Sequence, residues 1–332
     1  MEYILNNEQL TVTFTTKGGT ICSIEDSQGI EYLWQGDATY WSGQAPILFP
    51  ICGGLRDDKA LIGDDLETQM PRHGIVRKRE WEMIEKDEKH IVFEITSNIE
   101  TKVMFPYDFR LLAKYTLEGR SLKITYEVEN TDTKKFPFFT GGHPGFNCPL
   151  VAGEEYTDYE IVFEQKETCT VPTPVPETGL VDMKHRSVCL EDSDTVELNH
   201  EMFEIDAVIF DELKSRKLKL VSKKSGKGIE MEYKDFPYLI LWSSANHGNF
   251  VAIEPWTGLS TCSDEGDWFE EKRNVQSVEA GESKEYSYSV SVLKMKEKIR
   301  AVAGMKSCNR PLFLKSGGIN YENQYQRIHR KL

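Results

Sequence analysis

Between Phe109 and Asn130 the chain alternates apolar and polar residues with a period of two, twice in succession, around the turn "EGRS". The first run, "FRLLAKYTL", puts Phe109, Leu111, Ala113, Tyr115 and Leu117 on one face. The second, "LKITYEVEN", puts Leu122, Ile124, Tyr126 and Val128 on one face, with Lys123, Thr125, Glu127 and Glu129 on the other. Successive side chains of a strand point to opposite sides, so this pattern predicts a long antiparallel hairpin with one dry face and one wet face. Similar alternation recurs in "IVFEI", "YEIVFE", "IEMEY", "YLILW" and "YSYSVSV". No long capped amphipathic helix interrupts it before residue 293; only "GDWFEEKRN", 266–274, reads as a short helical turn. Many strands without intervening helices point to an antiparallel all-β sandwich or barrel. The Pro-rich stretch "TVPTPVPETG", 170–179, reads as an ordered extended loop inside one domain that spans residues 1–293.

Residues 294–332 differ. They carry ten Lys and Arg against two Glu, in a chain whose net charge is −14, and the closing "GGINYENQYQRIHRKL" is poor in apolar residues. A basic tail outside the β domain is expected there, without a core of its own and without a catalytic role.

The acidic balance argues against a nucleic-acid or anionic-membrane partner. No apolar run approaches the 18 residues that would suggest a spanning helix. Seven scattered cysteines without a C-x-x-C pair, and a start that lacks a signal-peptide pattern, lead to the expectation of a reduced cytoplasm and no structural zinc.

Four ionisable residues sit in unusual settings: His73 in "PRHGIVRKREW", His143 in "GGHPGF", Asp206 in "FEIDAVIF" and Glu254 in "NFVAIEPWTG". A carboxylate at the end of an apolar strand is costly unless it is hydrogen-bonded or functional. Each signal alone has a structural explanation: a satisfied turn histidine, a paired strand acid, a core tryptophan at Trp81 or Trp256, or a plain turn at "GGLRDD".

Taken together and in order, "GGLRDD", "RHGIVRKREW", "GGHPGF", "IDAVIF" and "AIEPWTG" resemble the aldose 1-epimerase (galactose mutarotase) family over residues 2–293, with the pattern of its LacX-like branch. The resemblance implies a β-supersandwich with a sugar cleft, and catalysis without cofactor or metal. Carried over by position, it implies His143 as general acid, Glu254 as general base, His73 near the ring oxygen, and Arg56, Asp206 and Trp256 as substrate-binding residues. The small-molecule partner would be an aldose, and the protein a monomer or homodimer. In one departure, the second histidine is followed by "PGFNCP", where members with mutarotase activity often carry an aromatic-Phe-Asn-Leu run.

Interconverting anomers needs a proton taken from the C1 hydroxyl and one given to the ring oxygen, so a carboxylate and an imidazolium suffice. On this reading His143 is expected protonated and Glu254 ionised at neutral pH. Two other readings are a hexose-6-phosphate 1-epimerase, with Arg72, Arg77, Lys78 and Arg79 as a phosphate clamp, and a non-catalytic sugar-binding or sensor protein.

Overall fold

A computed structural model describes residues 1–294. The predicted hairpin is its backbone. Phe109–Glu118 and Ser121–Asn130 pair antiparallel with Leu122 opposite Leu117, and the predicted dry face is buried throughout. The opposite face carries ion pairs instead, including Lys114 with Glu127 and Glu285. Around this hairpin a nine-stranded sheet runs in the order Leu180–Glu197, Tyr159–Val175, Lys217–Ser222, Gly228–Glu232, Ser283–Val292, Ser121–Asn130, Phe109–Glu118, His90–Thr96 and Glu82–Lys86.

A second sheet carries the candidate residues. Its path is Val208–Phe210, Tyr238–Trp242, Phe250–Trp256, Gly141–Gly142 and Ile47–Leu48, and Gly145–Asn147 also pairs with Phe250–Trp256. Phe250–Trp256 is buried along its whole length, as expected of a central strand covered on both faces. The two sheets share one continuous core, which also takes in Phe138 of the short strand Phe136–Phe138, edge-on to Tyr286 of the nine-stranded sheet at 6.0 Å. Gly142 lies so close to the nine-stranded sheet that a Cβ there would stand 2.6 Å from the Tyr288 hydroxyl. A three-stranded sheet, Glu2–Asn6, Leu10–Thr15 and Thr20–Asp26, completes the larger elements. The named strands pair antiparallel wherever they pair, which agrees with the all-β class predicted from the alternation.

Two local features depart from the sequence reading. Residues 170–175 belong to the strand Tyr159–Val175, which pairs with Leu180–Glu197 around a turn at 176–179. Prolines are tolerated there because Lys217–Ser222 borders that strand only at Tyr159–Phe163, so the Pro-rich end has one neighbour and no second ladder to satisfy. A short helix, Ile99–Met104, was not predicted; Asn98 caps it by accepting from the N–H groups of Glu100 and Thr101. Six residues are too few for a helical period to emerge. The turn expected in 266–274 is the 3₁₀ segment Phe269–Glu271. The basic tail lies outside the described residues, apart from Lys294. Among the described residues no helix is long and apolar enough to cross a membrane.

Candidate active site

Alternation along Phe250–Trp256 puts Ala252, Glu254 and Trp256 on one side and Val251 and Ile253 on the other. In the neighbouring strand Ile240 stands opposite Glu254, and Trp242 opposite Ala252. Directly opposed residues share a face, so Glu254, Trp256, Ile240 and Trp242 form one wall. All four line a cavity of about 250 Å³, which also receives Trp41, Arg72, His73, Arg77, His143 and Asp206.

His143 reaches this cavity from the sharp corner between Gly141–Gly142 and Gly145–Asn147. Its N–H donates to the Pro46 carbonyl at 3.1 Å, and the Pro144 carbonyl accepts from Ile253 at 3.0 Å. The corner is thereby held between the segment that leads into Ile47–Leu48 and the Glu254 strand. Trp41 stacks on the imidazole with ring centroids 4.8 Å apart, and Trp242 meets it edge-on at 5.7 Å. His143 Nε2 lies 3.2 Å from Glu254 Oε2, both side chains being almost wholly buried. This is ion-pair distance without hydrogen-bond alignment. Glu254 Oε2, His143 Nδ1 and Trp256 Nε1 are three of only four buried side-chain polar atoms without a protein partner among the described residues. Buried polar groups are nearly always paired, so three such atoms on residues that line one cavity mark it as a site rather than core.

His73 is positioned differently. Its φ of +67° is rare for a residue with a side chain, and two hydrogen bonds to one glycine hold it there. The His73 N–H donates to the Gly53 carbonyl at 2.7 Å, and the Gly53 N–H donates to His73 Nδ1 at 3.2 Å. Because Nδ1 accepts, a neutral ring carries its hydrogen on Nε2, making His73 a donor at that atom. Gly53 in turn has φ +69°, and a Cβ there would stand 2.1 Å from Ser260 Oγ, which accepts from the Gly54 N–H at 3.0 Å. The motif "GGLRDD" thus acts through its glycines, as the cradle of His73.

Its arginine goes elsewhere, which corrects the placement expected for Arg56. That residue pairs with Asp267 at 3.0 Å and donates to the Glu265 carbonyl at 2.7 Å, and it does not line the cavity. Arg72 stands there instead, 3.4 Å from Asp206 Oδ2. Asp206 sits in the bend between the 3₁₀ turn Glu201–Phe203 and Val208–Phe210 rather than within a strand. The structure therefore brings together His73, His143, Asp206, Glu254 and Trp256, and leaves out Arg56. Trp41 and Trp242 escaped the sequence reading. Nothing local distinguishes a tryptophan lining a cleft from one in the core.

Burial sets the protonation of this group. Desolvation pushes the His143 imidazole down to about 3, and the charges of Arg77 and Arg72 act in the same direction. His73 is held well below its usual range, first by burial and then by His143, Arg72 and Arg77. Glu254 is raised well above the usual carboxylate range by burial, with Asp206 adding to the rise and Arg72 opposing it. Burial thus works against the expected imidazolium facing a carboxylate and favours neutral imidazole beside protonated carboxyl. The two descriptions hold the same number of protons, so His143 and Glu254 form a unit with one transferable hydrogen. Among the described residues no group of three or more His, Cys, Asp or Glu is arranged to hold a metal ion.

The aldose 1-epimerase family profile matches residues 1–290. The chain belongs to the aldose 1-epimerase family. Within it, the chain is 46% identical over 294 residues to the chromosomal Protein LacX of Lactococcus lactis subsp. lactis, covering 87% of this chain and 98% of that one. Among solved structures, the galactose mutarotase related enzyme from Lactobacillus acidophilus superposes with a TM-score of 0.84 at 27% identity, over 90% of this chain and 99% of the other. A galactose mutarotase-like protein from Lactobacillus casei does so with a TM-score of 0.81 at 27% identity, over 88% and 100%. The fold is accordingly the galactose mutarotase-like arrangement of antiparallel sheets.

Proposed function

We propose that this member of the aldose 1-epimerase family catalyses the interconversion of α and β anomers of an aldose, with Glu254 as base and His143 as acid. The observation that carries this reading is the 3.2 Å pairing of one imidazole with one carboxyl in a cavity sized for a single sugar ring.

In the reactive form the pair's hydrogen sits on His143 and Glu254 is a carboxylate. Glu254 removes the proton of the C1 hydroxyl, and the electrons freed form the C1 carbonyl. The bond from C1 to the ring oxygen breaks, and that oxygen takes the hydrogen from His143 Nε2. The pair is then neutral imidazole and protonated carboxyl, the state that burial favours, so the protein stabilises the ring-opened side of the reaction. Rotation about C1–C2 exposes the other carbonyl face. His143 then recovers the hydrogen as the ring closes, and Glu254 returns its own to the C1 oxygen. No proton enters or leaves over the cycle. His73, neutral and donating from Nε2, steadies a sugar oxygen. Asp206 and Arg72 offer an acceptor and donors to the hydroxyls, and Trp256 an apolar face.

The reading is tested by proton NMR exchange between anomers in a panel of sugars, which the protein should accelerate. The pH profile checks its electrostatics. Activity requires one hydrogen on the pair. A second is gained only below the lowered value of His143, and the last is lost only above the raised value of Glu254. The expected kcat/KM therefore shows no acid limb near the ordinary imidazole value of about 6.5 and falls only above the raised value of Glu254. An acid limb at 6 to 7 would contradict the burial argument.

A further inference from the structure

The ring of a catalytic histidine is ordinarily fixed by a hydrogen bond at the nitrogen that takes no part in the transfer. His143 has no such bond. Its Nδ1 is buried without a partner among the described residues, and Nε2 meets Glu254 Oε2 at 3.2 Å without hydrogen-bond alignment. The torsion that turns an imidazole is broad and roughly two-fold, so packing must choose the plane. Three rings surround this one. Trp41 lies roughly parallel to it, with 28° between planes and 4.8 Å between centroids. Trp242 and His73 stand nearly perpendicular, at 5.7 and 5.3 Å. Of the three, Trp41 is the one that lays a face on the imidazole.

The fold seats that indole closely. A Cβ at Gly43 would stand 2.5 Å from Trp41 Cζ2, and one at Gly145 would stand 2.8 Å from Trp41 Cζ3, so two glycines leave the room it fills. The Trp41 carbonyl accepts from the Trp34 indole N–H at 2.7 Å, and its N–H donates to the Asp37 carbonyl at 2.9 Å. The Gly145 N–H donates to the Gln44 carbonyl at 2.8 Å, which ties the Trp41 segment to the corner that carries His143. Charge points to the same residue, because the reactive form needs a positive His143. The charged side chains lining its cavity are Glu254 and Asp206 against Arg72 and Arg77, with His73 the other titratable neighbour, so there is no surplus of negative charge. The face of an indole is electron-rich and attracts a cation, most strongly where water is excluded.

We propose that Trp41 is the positioning residue of the general acid: its indole face sets the plane of the His143 imidazole in place of a hydrogen bond at Nδ1, and stabilises the charge the ring carries before it delivers its hydrogen. The proposal rests on the epimerase reading for the role of His143, whereas the plane of the ring is independent of that reading.

The experiment compares Trp41→Leu, which keeps apolar bulk without an aromatic face, and Trp41→Phe, which keeps a face, in the wild-type and His143→Asn backgrounds. Anomer exchange gives kcat and KM. The plane of the imidazole is read separately by NMR, from through-space contacts between the His143 ring protons and Trp242, the His143 signals being identified by their absence in His143→Asn. Trp41→Leu should lower kcat at least about tenfold with KM within about threefold, and Trp41→Phe should recover most of the loss. In the His143→Asn background Trp41→Leu should cost less than about twofold more, because a residue that acts through His143 has nothing left to position. The ring contacts should match the wild type in Trp41→Phe and be redistributed in Trp41→Leu. Should Trp41→Leu not fold, Gly43→Ala takes its place, since it lies outside the catalytic cavity and its Cβ displaces the indole. A loss confined to KM, or equal losses with and without His143, would make Trp41 a sugar platform or a structural support and overturn the proposal. If the wild type exchanges no sugar, the epimerase reading fails and the ring contacts still decide the positioning: redistribution on loss of the indole supports it, and an unchanged pattern overturns it.

Discussion

Glu254→Gln lowers turnover by roughly 10²–10⁴-fold, the usual contribution of one general acid or base, while sugar binding weakens far less. The amide keeps the shape of the carboxyl but cannot accept the C1 proton. His143→Asn behaves alike, because the imidazole is the other half of the same transfer. The two losses do not multiply. Residues acting as a unit are strongly non-additive, so the double variant falls below the product of the single effects. The stability readout separates this from damage to the fold. Burial raises the pKa of Glu254 and favours its neutral form, so an uncharged isostere asks for little new desolvation. Thermal unfolding of Glu254→Gln should therefore match or exceed that of the wild type. Full turnover in both single variants would remove the pair from the chemistry and turn attention to His73 and Asp206.

Gly53→Ala is the second change with a large expected effect, although Gly53 touches no sugar. Its φ of +69° costs a residue with a Cβ about 1–2 kcal/mol, before the contact with Ser260 Oγ at 2.1 Å is considered. Ser260 contributes backbone atoms at 2.9 and 3.0 Å as well, so rotating its hydroxyl does not relieve the crowding. The turn must shift, and with it both hydrogen bonds that hold His73. A displacement of about 1 Å at a positioned group is enough for roughly a hundredfold loss in rate. Gly54→Ala is the control. The nearest atom to its Cβ is 3.9 Å away, and turnover should stay near wild type. Equal kinetics for the two variants would show that the Gly53 cradle does not set the His73 geometry.

The parts of this molecule legible in its sequence are those written in local patterns. The hairpin of Phe109 to Asn130 was readable because a half-buried strand must alternate, and Glu254 stood out because an acid in an apolar run needs a reason. His143 drew notice as an imidazole on a corner of glycine and proline, although only the ordered set of motifs set it apart from a satisfied turn histidine. The burden on Arg56 was misjudged for a reason of reach. An arginine side chain extends far enough to serve either face of a turn, and Asp267, distant in sequence, captured this one. Arg72, adjacent to the strained His73, was the guanidinium delivered to the cleft. Trp41 and Trp242 depended on which loops and strands meet, which no window of sequence contains. Burial opposes the ion pair expected of His143 and Glu254. Proximity of opposite charges is visible in chemistry alone, whereas the desolvation that overrides it exists only once both side chains are buried.

The measurement closest to the central claim is the rate of α–β exchange of an aldose, followed by proton NMR with wild-type protein and with Glu254→Gln/His143→Asn at equal concentration. The account predicts clear acceleration by the wild type and a loss of at least roughly 10²-fold in the double variant, measured at a temperature where both are folded. Exchange at the buffer rate with the wild type, across neutral and acidic aldoses alike, would contradict it.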